Sequence, residues 1–331
     1  MDRITLNQGF GGKDSNELIS NVIFKTLYSD INSNIINGND AAIVDNNIAI
    51  STDSFVVSPI FFTGGNIGKL CVAGTVNDIL TAGAVPKYLT LAFIIEEGFL
   101  LSDLEEILLS IRKEAIKNNV EVITGDTKVL PKGLCDGIYI NTTGIGYIKK
   151  TYNPKNIKVG DKIIISGTVG DHEAALTLIR EKFPFDADIA SDCSGLAPLL
   201  VPLISDDYNI KAMRDPTRGG LAATLNELTV QCGNSFTLYE DKLPIKDEVR
   251  GFCEITGFDL LSFASEGKMI IFADKDSADS VVKELKKHEL GQNACVIGEV
   301  TEEENSLVLL KTIAGKRIIP MPNFSQLPRI C

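Results

Sequence analysis

The sequence predicts an α/β protein of α+β type, with two domains followed by an extended C-terminal tail. Three observations carry this reading. The chain has 331 residues, 44% of them hydrophobic and 23% charged, which is the composition of an ordered globular protein. At about 100–200 residues per domain that length makes two. Helix-periodic and strand-like apolar runs alternate through both halves and begin afresh after the polar stretch at Asn153-Pro154. Beyond Ile319, Pro320, Pro322 and Pro328 discourage helix and central strand and favour an extended chain. The expected units are residues 1–155, 156–318 and 319–331.

Taken in order, Leu18, Ile19, Val22, Ile23 and Leu27 share a helical face, and Asp14 with Glu17 has capping-box spacing, so a helix is expected over 15–28. Residues 41–44 and 48–52 flank Asp45-Asn46-Asn47 and read as a hairpin, with Asp53 at a strand end. A helix over 67–84 precedes a strand over 88–95. Ser102 and Glu105 open the next helix, which runs to Asn118-Asn119. Strands at 120–124 and 137–147 close the first half. The second half predicts strand 162–166, then helices 171–182, 196–205 and 219–232. After these, strands 235–239, 268–273, 294–300 and 305–312 alternate with helices at 246–256 and 275–288.

Lys and Arg number 32 against 44 Asp and Glu, a net charge of -12, and no basic run interrupts the balance. This argues against nucleic acid and anionic lipid as partners. The start lacks a secretory pattern and no stretch is long and apolar enough to span a bilayer, so a cytoplasmic protein is expected. Seven cysteines without any C-x-x-C fit neither a disulfide framework nor a zinc ribbon. His172 and His288 are too few for a multi-histidine metal site. His172 itself reads as part of a helix first turn.

The chemistry-bearing residues are mostly acidic. Gly64-Gly65-Asn66-Ile67-Gly68-Lys69-Leu70 fails the Walker template, since Thr63 and Leu70 occupy its first glycine and its hydroxyl position. Asp40, Asp53, Asp78 and Asp126 each lie beside a glycine or a strand end. Carboxylates converging on a magnesium–triphosphate would explain how an acidic protein holds an anionic nucleotide. Taken singly, each also reads as a turn or cap aspartate. Gly9-Phe10-Gly11-Gly12-Lys13 fits a lid over phosphates, or an ordinary N-terminal segment. In Asp215-Pro216-Thr217-Arg218-Gly219-Gly220, Thr217 is the expected helix cap and Arg218 an anion-facing cation; the same residues suit a plain loop-to-helix junction. Glu266 and Lys268 suit either a hairpin turn or a site.

Cys331 is the sharpest feature, because chance would end a chain of 331 residues with 7 cysteines on one about 2% of the time. An extended tail from Pro320 would span roughly 35 Å at about 3.3 Å per residue. On that reading the thiol is exposed, with Arg329 modestly favouring thiolate.

Together the Gly-Gly-Lys of 11–13, Gly-Lys-Leu of 68–70, Gly-Thr-Val-Asn-Asp of 74–78, Gly-Asp-Thr-Lys-Val of 125–129, Asp-Pro-Thr-Arg-Gly-Gly of 215–220 and the terminal Pro-Arg-Ile-Cys resemble the HypE family of hydrogenase maturation proteins over essentially the whole chain. The resemblance implies an aminoimidazole ribonucleotide synthetase-like fold and a homodimer formed through the N-terminal sheet. It implies ATP-dependent dehydration of an S-carboxamide on the C-terminal cysteine to an S-thiocyanate, which supplies the cyanide ligand of [NiFe]-hydrogenase iron. The implied cofactors are ATP and Mg2+. The implied partners are the carbamoyltransferase HypF and the iron-scaffold proteins HypC and HypD. Carried onto this sequence, Cys331 is the covalent carrier, and Lys128 and Glu266 handle protons. Asp53, Asp78 and Asp126 bind magnesium and ATP, with Asp40, Gly125 and Arg218 beside the nucleotide. Gly11, Gly12 and Lys13 cover its phosphates, and His172 assists. Gln8 and Asn66 depart from the histidine and aspartate common in the family, and neutral Asn66 weakens any magnesium role there. Competing readings are a superfamily kinase or synthetase acting on a free small molecule, such as thiamine-monophosphate kinase or selenophosphate synthetase, and a non-catalytic thiol carrier.

Overall fold

The computed structural model describes residues 3–9, 12–27, 40–181, 183–302, 305–322 and 329–331. Gly11, Tyr28 and residues 323–328 of the tail lie outside them. The N-terminal helical segment comprises α1 (Gly12–Leu18), a π-helical stretch (Ile19–Phe24) and α2 (Lys25–Leu27). It starts at Gly12, so Asp14 lies inside its first turn and does not cap it. Ile19, Val22, Ile23 and Leu27, the expected core face, are exposed.

The first sheet holds β1 (Ala42–Val44), β2 (Ile48–Phe55), β5 (Ala84–Glu96), β6 (Glu121–Leu130) and β7 (Ile138–Ile148) in the order β1-β2-β7-β5-β6; β3 (Phe61–Phe62) and β4 (Gly65–Asn66) form a separate hairpin. All pairs of the first sheet are antiparallel except β5 with β6. Along β7, buried and half-buried residues alternate, the signature of one covered face. Asp53 is interior to β2, not at its end.

The cover is α3 (Ile67–Thr81), in which every residue except Lys69 and Asp78 is buried. Its start explains Asn66: the side chain is the N-cap, accepting from Gly68 N–H at 2.9 Å and Lys69 N–H at 3.1 Å. A helix this enclosed needs close approach on the sheet side. At Gly74 an added Cβ would stand 2.9 Å from the Phe55 ring, which explains why a small residue sits one turn ahead of Asp78. α4 (Leu101–Lys117) packs on the other side of α3. Its N-cap is Leu100 and makes no side-chain cap bond; Ser102 falls inside the first turn.

The second half holds β8 (Lys162–Ile165), α5 (Asp171–Arg180), α6 (Ala197–Ser205), β9 (Ile210–Arg214), α7 (Gly220–Cys232), β10 (Ser235–Tyr239) and α8 (Asp247–Thr256). It continues through β11 (Ile270–Ala273), α9 (Ala278–Leu285), β12 (Cys295–Thr301), β13 (Val308–Thr312) and β14 (Gly315–Ile318). The sheet order is β14-β13-β10-β12-β8-β11-β9. Both faces are covered: Ile164 and Ile271 join one core with α6 and α9, while Ile163, Ile165, Ile270 and Phe272 pack with Leu221, Leu225 and Leu228 of α7. Strands buried on both faces read as continuous apolar runs, as Ile163, Ile164 and Ile165 of β8 do.

The core with α6 also contains the α3 and α4 residues, so the two halves share it. Polar side chains of the first half stitch the loop before α6. Asn77 Oδ1 accepts from Leu196 N–H, Glu114 Oε1 from Gly195 N–H and Asn118 Oδ1 from Ala197 N–H, at 2.9, 2.7 and 3.1 Å.

Candidate active site

The cleft forms where β2 and α3 meet the segments that flank β1 and β9. Ser51, Asp53 and Phe55 of β2 alternate toward α3, and Ser51 Oγ–H donates to Asp78 Oδ2 at 2.7 Å. Asp40 enters just before β1, and Asp215 immediately follows β9. Carboxylate oxygens of Asp40, Asp78 and Asp215 lie within 4.8 Å of one another. Arg214 Nε pairs with Asp40 Oδ2 at 2.8 Å and its Nη2 with Glu227 Oε2 at 3.2 Å. Thr217, Arg218, Glu266 and Cys331 complete a cavity of about 170 Å³ together with Thr52, Asp53 and Gly74.

Arg218 leads into α7 as the sequence suggests, but Thr217 is not the cap. Gly219 takes that place at φ 78°, and the Thr217 carbonyl accepts from Gly220 N–H. Residues 264–268 are not a hairpin turn but a buried loop leading into β11. Glu266 is 3% exposed, its N–H donates to Asp192 Oδ1 at 3.1 Å, and Lys268 Nζ pairs with Asp192 Oδ2 at 2.9 Å. Asn77 Nδ2 donates to the Glu266 carbonyl at 3.3 Å, so the residue beside Asp78 positions the loop. Glu266 Oε1 is buried without a hydrogen-bond partner among the described residues.

The tail is where structure and sequence reading part most. Cys331 is not on an exposed tether. Its main-chain oxygen accepts from Val56 N–H at 3.0 Å, the Arg329 carbonyl accepts from Ser58 N–H at 3.1 Å, and Ile330 is 2% exposed within the shared core. Arg329 points away from the thiol: it donates to the Val56 carbonyl, pairs with Asp136 and stacks over Tyr139. The guanidinium facing the thiol is that of Arg218. The apolar Ile330 explains the docking, because its burial is worth about 1.5–3 kcal/mol.

Burial and mutual repulsion set the electrostatics. Burial pushes Asp215 up to about 8, with Asp40 adding to it and Arg214 opposing. Asp78 and Glu266 rise well above the carboxylate range, from burial first and then Asp215. Asp40 and Asp53 are raised by burial against the pull of Arg214 and Arg218 respectively. Burial also raises the Cys331 thiol, with Arg218 opposing, so the docked sulfur is neutral. Carboxyls packed this closely need protons or a cation. An all-oxygen acidic donor set suits magnesium.

One chain therefore brings together Asp40, Asp53, Asp78, Arg218, Glu266 and Cys331. It does not bring Gly125, Asp126 and Lys128 to them. These three lie on β6, and Lys128 Nζ pairs with Asp126 Oδ2 at 2.5 Å on the exposed surface. Lys13 is exposed and lies 4.0 Å from Glu17. Gly12, at φ 73°, abuts the Pro322 carbonyl. His172 is in the first turn of α5, fully buried, and contacts the tail backbone. Asp215 is a site member that sequence reasoning does not single out, although it lies in the Asp-Pro-Thr-Arg-Gly-Gly motif; the available signal is an acidic residue just before proline in a glycine-rich loop.

The fold and this cleft define an AIR synthase related protein: the N-terminal domain model of that class matches residues 38–148 and the C-terminal domain model residues 158–311. The chain is 39% identical to carbamoyl dehydratase HypE of Escherichia coli, with 100% of both chains covered, and 42% identical to carbamoyl dehydratase HypE of Rhizobium leguminosarum bv. viciae, covering 99% of this chain and 95% of that one. A crystal structure of a HypE–HypF complex superposes with a TM-score of 0.86 at 43% identity, covering 91% of this chain and 99% of that chain. One of HypE in complex with ATP superposes with 0.83 at 39% identity, covering 99% and 100%. The chain belongs to the HypE family of carbamoyl dehydratases. A thiamine monophosphate kinase from Aquifex aeolicus shares the fold, with a TM-score of 0.69 at 20% identity over 91% of this chain and 96% of that chain.

Proposed function

We propose that the protein dehydrates an S-carboxamide carried on its own Cys331 to an S-thiocyanate at the expense of ATP, within the assembly of [NiFe]-hydrogenase. The observation that carries this reading is the Cys331 side chain lining the carboxyl cleft with Arg218 and Glu266. A free small-molecule acceptor would have to displace it, which disfavours the kinase alternative. The relatives named carbamoyl dehydratase and the HypE structures with ATP and with HypF support the same reading.

When bound, ATP supplies the phosphoryl group that makes the amide oxygen a leaving group, and magnesium neutralises the charge that gathers on it. Asp40, Asp78 and Asp215 would hold magnesium, with Asp53 beside them. This reassigns the sequence-based ligand set of Asp53, Asp78 and Asp126. Arg218 stabilises negative charge next to the sulfur. Two protons must leave the carboxamide nitrogen as the nitrile forms. Glu266, whose buried Oε1 has no hydrogen-bond partner among the described residues, would accept one of them in its ionised form. The docked tail keeps water from the reacting carbon.

The cavity of about 170 Å³ takes the reacting groups but not a whole nucleotide, since ligand pockets run to about 300–1,000 Å³. The remaining wall is assigned to the N-terminal segment, with Gly11, Gly12 and Lys13, and to a second copy of the chain. Among the described residues β6 pairs only with β5, and Val122, Ile123 and Val129 on it are exposed. An open apolar edge of this kind is a pairing surface. A homodimer through it would carry Gly125, Asp126 and Lys128 toward the partner's cleft, making Lys128 a proton-handling residue in trans. HypF is the proposed source of the carbamoyl group, and HypC with HypD the proposed recipients of cyanide. The units 1–155, 156–318 and 319–331 are the proposed domains and carrier tail. Among the described residues no helix is long and apolar enough to cross a membrane, and a cytoplasmic location is proposed. The test is to incubate carbamoylated protein with Mg-ATP and follow the C-terminal peptide by mass spectrometry. Loss of one water supports the dehydratase, and its absence supports the thiol-carrier alternative.

A further inference from the structure

We propose that His172 and Ser191 form the positioning pair that sets Cys331 in the cleft, by donating a hydrogen bond to the Ile330 carbonyl. This rests on the reading of Cys331 as carrier. The docked tail turns at Arg329, whose φ of 56° is left-handed, and its main-chain oxygens take different partners. Those of Arg329 and Cys331 turn to Ser58 and Val56, while that of Ile330 lies 2.6 Å from His172 Nε2. The tail is therefore held by backbone N–H groups at the Arg329 and Cys331 oxygens and by the imidazole at the Ile330 carbonyl.

The hydrogen bonds fix the tautomer. The Ile330 carbonyl only accepts, so Nε2 carries the proton facing it. In the neutral ring Nδ1 then accepts, and Ser191 Oγ–H, 2.7 Å away, donates to it while Oγ accepts from Cys193 N–H at 3.0 Å. Burial disfavours the imidazolium, so the neutral relay persists. The pair is anchored independently of the tail. His172 meets the Phe62 ring edge-on at 5.5 Å, and Ser191 N–H donates to the Thr63 carbonyl at 2.8 Å. Arg180, two turns further along α5, lies on the same face and bonds the Arg329 and Ser58 carbonyls. One helix thus grips the tail twice, and the Ile330 carbonyl is a single residue from the reacting sulfur. His172 acts through the peptide and touches no reacting atom.

The test uses the full chain and its His172→Phe and His172→Gln variants. Phe keeps the ring volume without the donor, and Gln keeps an N–H near the Nε2 position. Iodoacetamide labelling is read cysteine by cysteine by peptide mass mapping, and amide exchange is read at Val56 and Ser58. In His172→Phe we expect Cys331 labelling to be about tenfold faster, with both amides exchanging faster and buried Cys71 and Cys193 unchanged; His172→Gln should return within about threefold of wild type. Unchanged Cys331 labelling in His172→Phe overturns the proposal. So does a parallel rise at Cys71 and Cys193, or a Gln variant as labile as Phe. Should neither variant fold, nitrogen NMR of 15N-histidine-labelled wild type decides, because the chain has only two histidines. Nε2–H at His172 supports the pair and Nδ1–H overturns it. Failure of the dehydratase reading would show separately, as wild type that docks its tail but loses no water.

Discussion

Raising the pH in the absence of divalent cations should destabilise the protein in proportion to the protons its cleft holds. Asp215 is pushed up to about 8 by burial and by Asp40, and Asp78 and Glu266 are raised with it. Unfolded carboxyls release their protons near pH 4. Between about pH 4 and 8 the folded chain therefore holds protons the unfolded chain has lost. The contribution is fully present below the unfolded value and disappears as pH rises through the folded one. Each such proton is worth about 1.4 kcal/mol per pH unit. With Asp215 alone, unfolding free energy should fall by about 2 kcal/mol between pH 6.5 and 8.0, and Asp78 and Glu266 would steepen the slope. Glu173, raised to about 7 by burial, adds to the lower part of this window. Urea denaturation in EDTA at half-unit pH intervals measures the slope. Millimolar Mg2+ should flatten it by replacing the protons, and titration calorimetry in buffers of differing ionisation enthalpy should detect proton release on metal binding. A flat profile in EDTA, or a slope that Asp215→Asn and Mg2+ both leave alone, refutes the reasoning.

Three further outcomes are expected. Cys331→Ala should abolish carbamoyl loading and dehydration yet leave ATP affinity by calorimetry within about threefold, because the Asp40, Asp78 and Asp215 carboxylates converge without any tail residue; an equal loss of affinity contradicts this. Lys128→Ala and Glu266→Gln should each load normally and dehydrate slowly. Mixed after co-refolding, they should recover about a quarter of wild-type activity, as half the dimers are mixed and each mixed dimer has one intact site; no recovery places Lys128 in cis or outside the site. Ile330→Ala, which empties a buried position, should undock the tail by about 2 kcal/mol, read as roughly thirtyfold faster Cys331 alkylation; an unchanged rate shows that the core contact does not hold the tail.

Several helices were legible in the sequence: Gly220–Cys232 and Asp171–Arg180 fall close to their expected ranges. β9 was not, because Lys211 and Arg214 interrupt its apolar run and only pairing with β11 makes it a strand. β14 was missed because Gly315–Ile318 is exposed throughout and gains its order from β13 alone. Capping was the least legible feature. Backbone conformation at Gly219 and Leu100 sets those starts, whereas Ser102 and Thr217 offered the right side chains at the wrong register. In the site, Asp40, Asp53, Asp78, Glu266 and Arg218 stood out by their glycine and strand-end neighbours. What hid the rest was separation along the chain: His172 meets a carbonyl 158 residues away, and no spacing rule reports that. Pro320, Pro322 and Pro328 gave no sign of where the chain end rests, which Ile330 decides by its burial.

Because Ile330 packs in the same core that joins the two halves, delivery of the cargo is a small refolding event at the chain end. The reactant never dissociates, so its supply to the cleft is governed by an intramolecular equilibrium constant and not by concentration. Dehydration of a loaded chain should then be first order and indifferent to dilution for as long as the proposed dimer persists. Competing free thiocarboxamides would have to outbid an effective molarity written into the last three residues.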